Sequence, residues 1–267
     1  MPYIETNGAN IFYTDEGSGP PVLLVHGWSC DGTDWAWQTP ALKAAGYRCV
    51  VPDLRGHGRS SVTEDGYTPR GYAADLAALL GELRTGPVVA IGHSMGGAAV
   101  VALAVEHPEA VRAVVPVDSG YGQTGTAEQL APLIEAVKAP DGAAFAQQMF
   151  STFYGAAAPP HLKEIHMRRI AAMHPQVRWK ALAGMFAGED QFCLKPEAER
   201  YLRRVQAPAL AFRAGNQDPV AVAAWERACF QHPKSAALAW EGYGHWLHQE
   251  RPEEFNRVLL EWLAGLG

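Results

Sequence analysis

Short apolar runs recur along the chain, and each stops at a glycine, proline or aspartate. Residues 22–25 end at His26-Gly27, 48–51 at Pro52-Asp53, and 88–91 at Gly92; 113–115 end at Pro116-Val117-Asp118, and 209–212 just before Gly215. These runs are continuous rather than alternating, the pattern of strands covered on both faces of a parallel sheet. Between them lie helical patterns, such as 72–84, where Leu76, Leu79, Leu80 and Leu83 share one face. Strand and helix in alternation predict an open α/β sheet. Residues 3–6 and 10–14, which run into Gly17-Ser18-Gly19-Pro20, are expected as an antiparallel edge, and 236–240 as a last strand.

The alternation breaks near Gly120 and resumes at Pro208. Only helical patterns lie between. Leu130, Leu133, Ile134 and Val137 follow one helical stripe, and Phe145, Met149, Phe150 and Phe153 fit another. Residues 120–205 are therefore expected as a helical cap inserted into a core made of 1–119 and 206–267.

Composition narrows the function. The chain has 267 residues, 48% of them hydrophobic, which is ample for one large core. Its net charge is −6, with 22 Lys+Arg against 28 Asp+Glu and no basic block, so no nucleic-acid partner is expected. No apolar run is long enough to span a membrane. The N-terminal residues lack a basic stretch followed by an apolar one, so a cytoplasmic location is expected. Cys30, Cys49, Cys193 and Cys229 fit no metal spacing, and His245 and His248 have no third ligand nearby in sequence. Neither a metal nor another cofactor is predicted.

The stretch Ala90-Ile91-Gly92-His93-Ser94-Met95-Gly96-Gly97 supplies the chemistry. Ser94 follows a strand pattern and precedes a run that is apolar on every side, the mark of a buried helix. Strand, sharp turn and buried helix around G-x-S-x-G form a nucleophile elbow, in which the two outer glycines approach too closely for side chains. A serine hydroxyl needs a base. In chain order Ser, Asp/Glu, His, the base is His245 on the glycine-rich loop Gly242-Tyr243-Gly244, with His248 its rival three residues on. The acid is Asp218, just past a strand and followed by Pro219; Asp118, also at a strand end, is the alternative. Asp218 is also expected to cap the helix that begins at Pro219. Backbone N–H groups of Met95 and Trp28 are the expected oxyanion donors.

The segments HGW, DLRGHGRS, GHSMGG, GNQD and GHWLHQERPEEF, in this order across nearly the whole chain, resemble the α/β-hydrolase superfamily. The resemblance implies an eight-stranded, mostly parallel sheet with flanking helices and a helical cap, no cofactor, and a Ser94-His245-Asp218 triad. The last segment is similar to cap-bearing epoxide hydrolases and dehalogenases, which carry aspartate at the elbow. Ser94 points instead to the serine branch of esterases and lactonases. The cap is rich in methionine and aromatic residues, so the expected substrate is a small hydrophobic ester or lactone. Trp28, His93, Met149, Phe150, Phe153, Tyr154, Trp179, Met185, Phe186 and Trp246 are candidate pocket residues. C–C bond or thioester hydrolysis on the same triad, or a small-molecule receptor that keeps it, are the alternatives.

Overall fold

In the computed structural model, residues 2–156, 158–188, 190–215 and 218–266 are described. Asn216 and Gln217 of the GNQD segment lie outside them. One sheet holds eight strands: β1 (Tyr3–Thr6), β2 (Ala9–Glu16), β3 (Pro21–Val25), β4 (Arg48–Pro52), β5 (Val88–His93), β6 (Val111–Val117), β7 (Leu210–Arg213) and β8 (Ala236–Ala239). Their order across the sheet is β1-β2-β4-β3-β5-β6-β7-β8. β1 and β2 pair antiparallel and β2 joins β4 antiparallel; every later pairing is parallel. The continuous apolar runs have the predicted cause. β3 and β5 are buried along almost their whole length, since helices cover both faces of the sheet.

The helices are α1 (Gln38–Ala44), α2 (Pro69–Glu82), α3 (Met95–Glu106), α4 (Ala127–Lys138), α5 (Gly142–Phe150), α6 (Pro160–Ala172), α7 (Pro175–Phe186), α8 (Glu197–Leu202), α9 (Pro219–Cys229), α10 (Leu247–Glu250) and α11 (Pro252–Ala264). Thr68 caps α2 by accepting the Gly71 N–H at 3.0 Å, and Pro69 fills the first helical position. This cap starts α2 three residues before the predicted 72, because apolar periodicity does not register a cap. α3 is apolar on all sides and buried from Met95 to Ala104.

Helices α4 to α8 lie between β6 and β7, and β7 returns to pair with β6. In α4 the predicted stripe holds, with Ile134 and Val137 buried. In α5 it holds only in part. Phe150 is buried, Phe153 lies beyond the helix end, and Phe145 faces solvent at 38% exposure. A helix this short leaves room for only two buried turns.

The DLRGHGRS segment is a structural staple. Asp53 Oδ1 accepts the Gly32 N–H at 2.8 Å, and its Oδ2 accepts the Arg59 N–H at 2.8 Å. His26 Nε2 accepts the Leu54 N–H at 2.9 Å, so its proton is on Nδ1, which donates to the Gly27 carbonyl at 2.8 Å. The neighbouring His57 is buried, with Nδ1 on the Arg55 carbonyl at 3.0 Å. Burial first, and then the nearby His26, push the His57 pKa down to about 3. Because the folded value lies below the ordinary value of about 6.5, this neutral imidazole stabilises the fold fully above pH 6.5. That contribution is lost as pH falls from about 6.5 toward 3. Urea melts between pH 7 and 4.5 should show a stability slope for His57→Gln shallower than wild type by up to about 1.4 kcal/mol per pH unit. Equal slopes would contradict this role.

Candidate active site

Ser94 stands between β5 and α3 with φ 52° and ψ −115°, a strained conformation for a residue with a side chain. The flanking glycines make it possible. A Cβ on Gly92 would meet the Gly96 carbonyl oxygen at 2.2 Å, and one on Gly96 would meet the Val25 and His26 carbonyl oxygens at 2.4 Å. The turn is tied down on both sides: Ser94 N–H donates to the Val117 carbonyl at 2.9 Å, and Gly120 N–H to the Ser94 carbonyl at 3.1 Å. The geometry thus lifts Ser94 at the carboxyl end of the central strand, half-buried and facing a cavity.

His245 reaches the same cavity from the loop before α10. Its backbone N–H donates to the Phe153 carbonyl at 2.7 Å, which ties that loop to the helical insertion. Its Nδ1 donates to Asp118 Oδ2 at 2.6 Å. His248, the rival base, is fully buried between Trp35 and His93, with ring centroids 4.7 Å from each, and burial pushes its pKa down to about 3. It does not reach the cavity.

For the candidate acid, the geometry departs from the sequence-based preference. Asp118, not Asp218, meets His245. Asp118 follows β6 at φ 41°, its N–H on the Phe212 carbonyl at 2.8 Å. Its Oδ1 accepts the Ala214 N–H at 3.1 Å, which aims Oδ2 at the imidazole. Asp218 is exposed, and its Oδ1 accepts the Val220 and Ala221 N–H groups at 3.1 and 3.0 Å as the cap of α9. The capping role expected for Asp218 is therefore present, without the histidine contact. The two signals in sequence differ: Asp-Pro marks a cap, whereas Asp118 ends the strand beside the elbow strand.

Met95 is the first residue of α3, so its N–H has no acceptor within the helix. Trp28 lies in the loop after β3, buried, with its indole N–H donated to the Arg178 carbonyl at 3.0 Å. That bond links the loop to α7 and fixes the backbone leading to the candidate oxyanion amide.

The cavity holds about 330 Å³ and is lined by Ser94, Asp118 and His245 at its base. Of the ten pocket residues expected from sequence, Trp28, Met149, Phe150, Phe153, Met185 and Phe186 line it. The other four do not. His93 and Trp246 are buried at 1% exposure, below the cavity. Tyr154 stacks on His166 and Trp246, with ring centroids at 5.9 and 4.9 Å. Trp179 sits beside Lys138 and Lys180, whose ammonium groups are 5.2 and 5.8 Å from its ring. Sequence reasoning passed over Leu130, Leu133 and Leu182, which complete the apolar wall, and Gln123 and Thr124, its polar part. Leu130 and Leu133 carried a helical signal that served equally for packing.

A family model described as "Alpha/beta hydrolase family" matches residues 22–258. The chain belongs to the alpha/beta hydrolase family. This alpha/beta hydrolase is 42% identical over 108 residues to a non-heme haloperoxidase of Rhodococcus erythropolis, a match spanning 40% of this chain and 39% of that one. It is 29% identical over 276 residues to the non-heme chloroperoxidase CPO-A1 of Kitasatospora aureofaciens, covering 98% and 99% of the two chains. A solved thermophilic esterase from Thermogutta terrifontis superposes with a TM-score of 0.83 at 27% identity, over 99% of this chain and 97% of that one. Epoxide hydrolases and a lactone-degrading enzyme are also among the proteins this hydrolase resembles.

Proposed function

We propose that this alpha/beta hydrolase cleaves a small hydrophobic carboxylic ester or lactone through an acyl-enzyme on Ser94. The observation that carries the reading is the convergence of a strained Ser94, a His245–Asp118 pair at 2.6 Å and an apolar pocket on one cavity. His245 Nδ1 is committed to Asp118, which leaves Nε2 to take the Ser94 proton as Oγ attacks the carbonyl carbon. Amides of Met95 and Trp28 hold the developing oxyanion. His245 then protonates the departing alkoxide. Water, deprotonated by His245 in turn, attacks the acyl-enzyme and releases the acid. In a lactone the leaving alkoxide stays tethered to the acyl group, so one hydroxy acid is the product.

The pocket favours an uncharged acyl group. Leu130, Leu133, Met149, Leu182 and Met185 face the nucleophile from the helical insertion, and Arg213, the cation on the lining, is spent on Glu226 at 2.8 and 2.9 Å. A paired guanidinium offers little to a substrate carboxylate. The test is a panel of neutral esters and lactones of increasing acyl length beside matched monoanionic esters. Neutral substrates should exceed the anionic ones in kcat/KM by about 10² or more, since a carboxylate would enter the apolar pocket unpaired. Equal rates would overturn the pocket reading.

A second reading, halide oxidation, is favoured by the two peroxidase relatives, one matched along nearly its whole length and the other over 39% of it. Bromination with peroxide and bromide, measured beside ester turnover, separates it. Activity without any ester hydrolysis would replace the first reading.

A further inference from the structure

The three segments that carry the nucleophile, the base and the Trp28 amide meet again one layer deeper. His93 ends β5 beside Ser94, His248 lies on α10 three residues after His245, and Asp34 sits on the helical turn Gly32–Trp35 that follows the Trp28 loop. One ligand-capable atom of each lies within 4.8 Å of the other two. All three residues are at most 1% exposed, and none lines the catalytic cavity.

Each also keeps a buried polar atom with no hydrogen-bond partner: Oδ2 of Asp34 and Nδ1 of both His93 and His248. Buried polar atoms are rarely left so, and three in one spot point to a missing partner. His93 Nε2 is held by the His245 carbonyl at 2.9 Å, so the ring proton sits there and Nδ1 presents a lone pair. Metal-bound histidines are commonly oriented this way, by donating the other ring N–H to a carbonyl. His248 Nε2 lies 3.4 Å from the Gln249 amide, whose oxygen end accepts that ring proton when turned toward it, freeing Nδ1. Arg169 pairs with the other carboxylate oxygen of Asp34, Oδ1, which leaves Oδ2 for the cluster.

We propose that Asp34 Oδ2, His93 Nδ1 and His248 Nδ1 form a buried two-histidine, one-carboxylate centre for a divalent transition ion of the zinc class. Ligand atoms around such an ion sit about 3.3 Å apart, so the three side chains close in by about an ångström or less. Asp34 lies within the same reach of Cys30 and His166, so either is a candidate for the fourth ligand. A Cys30 thiolate there balances the charge: the dication meets Asp34 and Cys30, while Arg169 is answered by Asp31 at 3.3 Å. Oxygen, nitrogen and thiolate donors together suit zinc better than calcium or magnesium. The ion is a staple. It joins the loops of the candidate nucleophile, base and oxyanion donor without touching substrate. No spacing in sequence announces it, because Asp34, His93 and His248 come from three segments far apart in the chain.

A site this enclosed loads during folding. The full chain is therefore unfolded in guanidinium with a chelator, then refolded with Zn²⁺, with Co²⁺ or with neither, and desalted. Elemental mass spectrometry should find about one ion per wild-type chain. The Zn²⁺-refolded protein should melt about 5–10 °C above the metal-free one, and the Co²⁺ form should show the intense visible bands of a four-coordinate ion. His248→Gln and Asp34→Asn should each retain under about a tenth of an ion, whereas His161→Gln, at an exposed position, should retain a full one. If either ligand variant fails to fold, the wild-type stoichiometry and melting shift decide alone. Wild-type protein that refolds to the same melting point with or without metal and holds under a tenth of an ion would overturn the centre. So would binding unchanged in both ligand variants. None of these readouts depends on ester hydrolysis, so the staple and the proposed reaction stand or fall separately.

Discussion

Ser94→Ala is expected to lower kcat toward a neutral ester by on the order of 10⁴ to 10⁶, with an unchanged melting temperature. The loss is large because the hydroxyl is the atom that becomes acylated, and no neighbouring group replaces it. His93 adjoins Ser94, but it is buried and faces away from the cavity, and burial holds its pKa well below the ordinary histidine value. Removing the hydroxyl should leave the fold intact. The elbow is held by Ser94 backbone bonds to Val117 and Gly120, neither of which involves the side chain. Alanine at φ 52° keeps the same strain that serine bears. His245→Ala should fall by a similar factor, and the double variant by little more, since nucleophile and base act as a unit. Steady-state kinetics with active-site-independent protein quantitation checks all three. Residual activity of Ser94→Ala within tenfold of wild type would remove the acyl-enzyme from the account.

The second large effect separates the two aspartates. Asp118→Asn is expected to lower kcat by about 10³ to 10⁴, while Asp218→Asn changes it by less than about threefold. The reason is local. Ala214 N–H needs an oxygen at the Oδ1 position, 3.1 Å away, so an asparagine amide must place its NH₂ toward His245 Nδ1. Nδ1 then has to accept rather than donate. The ring proton moves to Nε2, where a base is needed, and the imidazole is held in the wrong tautomer. Asp218 is exposed and uses one oxygen on two N–H groups of α9. Asparagine caps a helix nearly as well as aspartate, so both turnover and stability should survive. A larger loss in Asp218→Asn than in Asp118→Asn would restore the sequence-based assignment.

That assignment shows where sequence stops being informative. The apolar runs identified the strands because burial on both faces leaves nothing to alternate, and the glycines around Ser94 identified the elbow because backbone oxygens approach within 2.4 Å of where their Cβ atoms would be. Those are local consequences, legible in a few residues. The choice of acid depends on how far β7 stands from β6 and on the φ of Asp118, which is a matter of register across the sheet. Asp118 directly follows β6 and Asp218 comes a few residues after β7, and both lie between Ser94 and His245, so chain order alone could not rank them. The pocket was legible in kind but not in detail. Met149, Phe150 and Met185 face the cavity, whereas Tyr154 and Trp246 turn away to stack around His166, with Trp246 4.2 Å from that ring. Aromatic residues near the cavity serve packing and lining alike, and only their tertiary placement decides which.

The same logic explains why the polar cluster beneath the site was invisible. Its members are spread from Cys30 to His248, on a loop, a helical turn, β5, α6 and α10. Each reads singly as a satisfied core residue. Together they fill a space between the elements that hold Ser94, His245 and Trp28, so the position of the candidate site is fixed by what lies behind it as well as by the sheet.

The central claim is that Ser94 is an activated nucleophile open to a carbonyl in the cavity. The most direct measurement is reaction with a serine-directed fluorophosphonate, followed by peptide mapping by mass spectrometry, with Ser94→Ala alongside. One adduct per chain is expected, on the peptide containing Ser94, absent from Ser94→Ala and slowed in Asp118→Asn. A folded wild-type protein that gains no adduct, or gains one elsewhere, would contradict it.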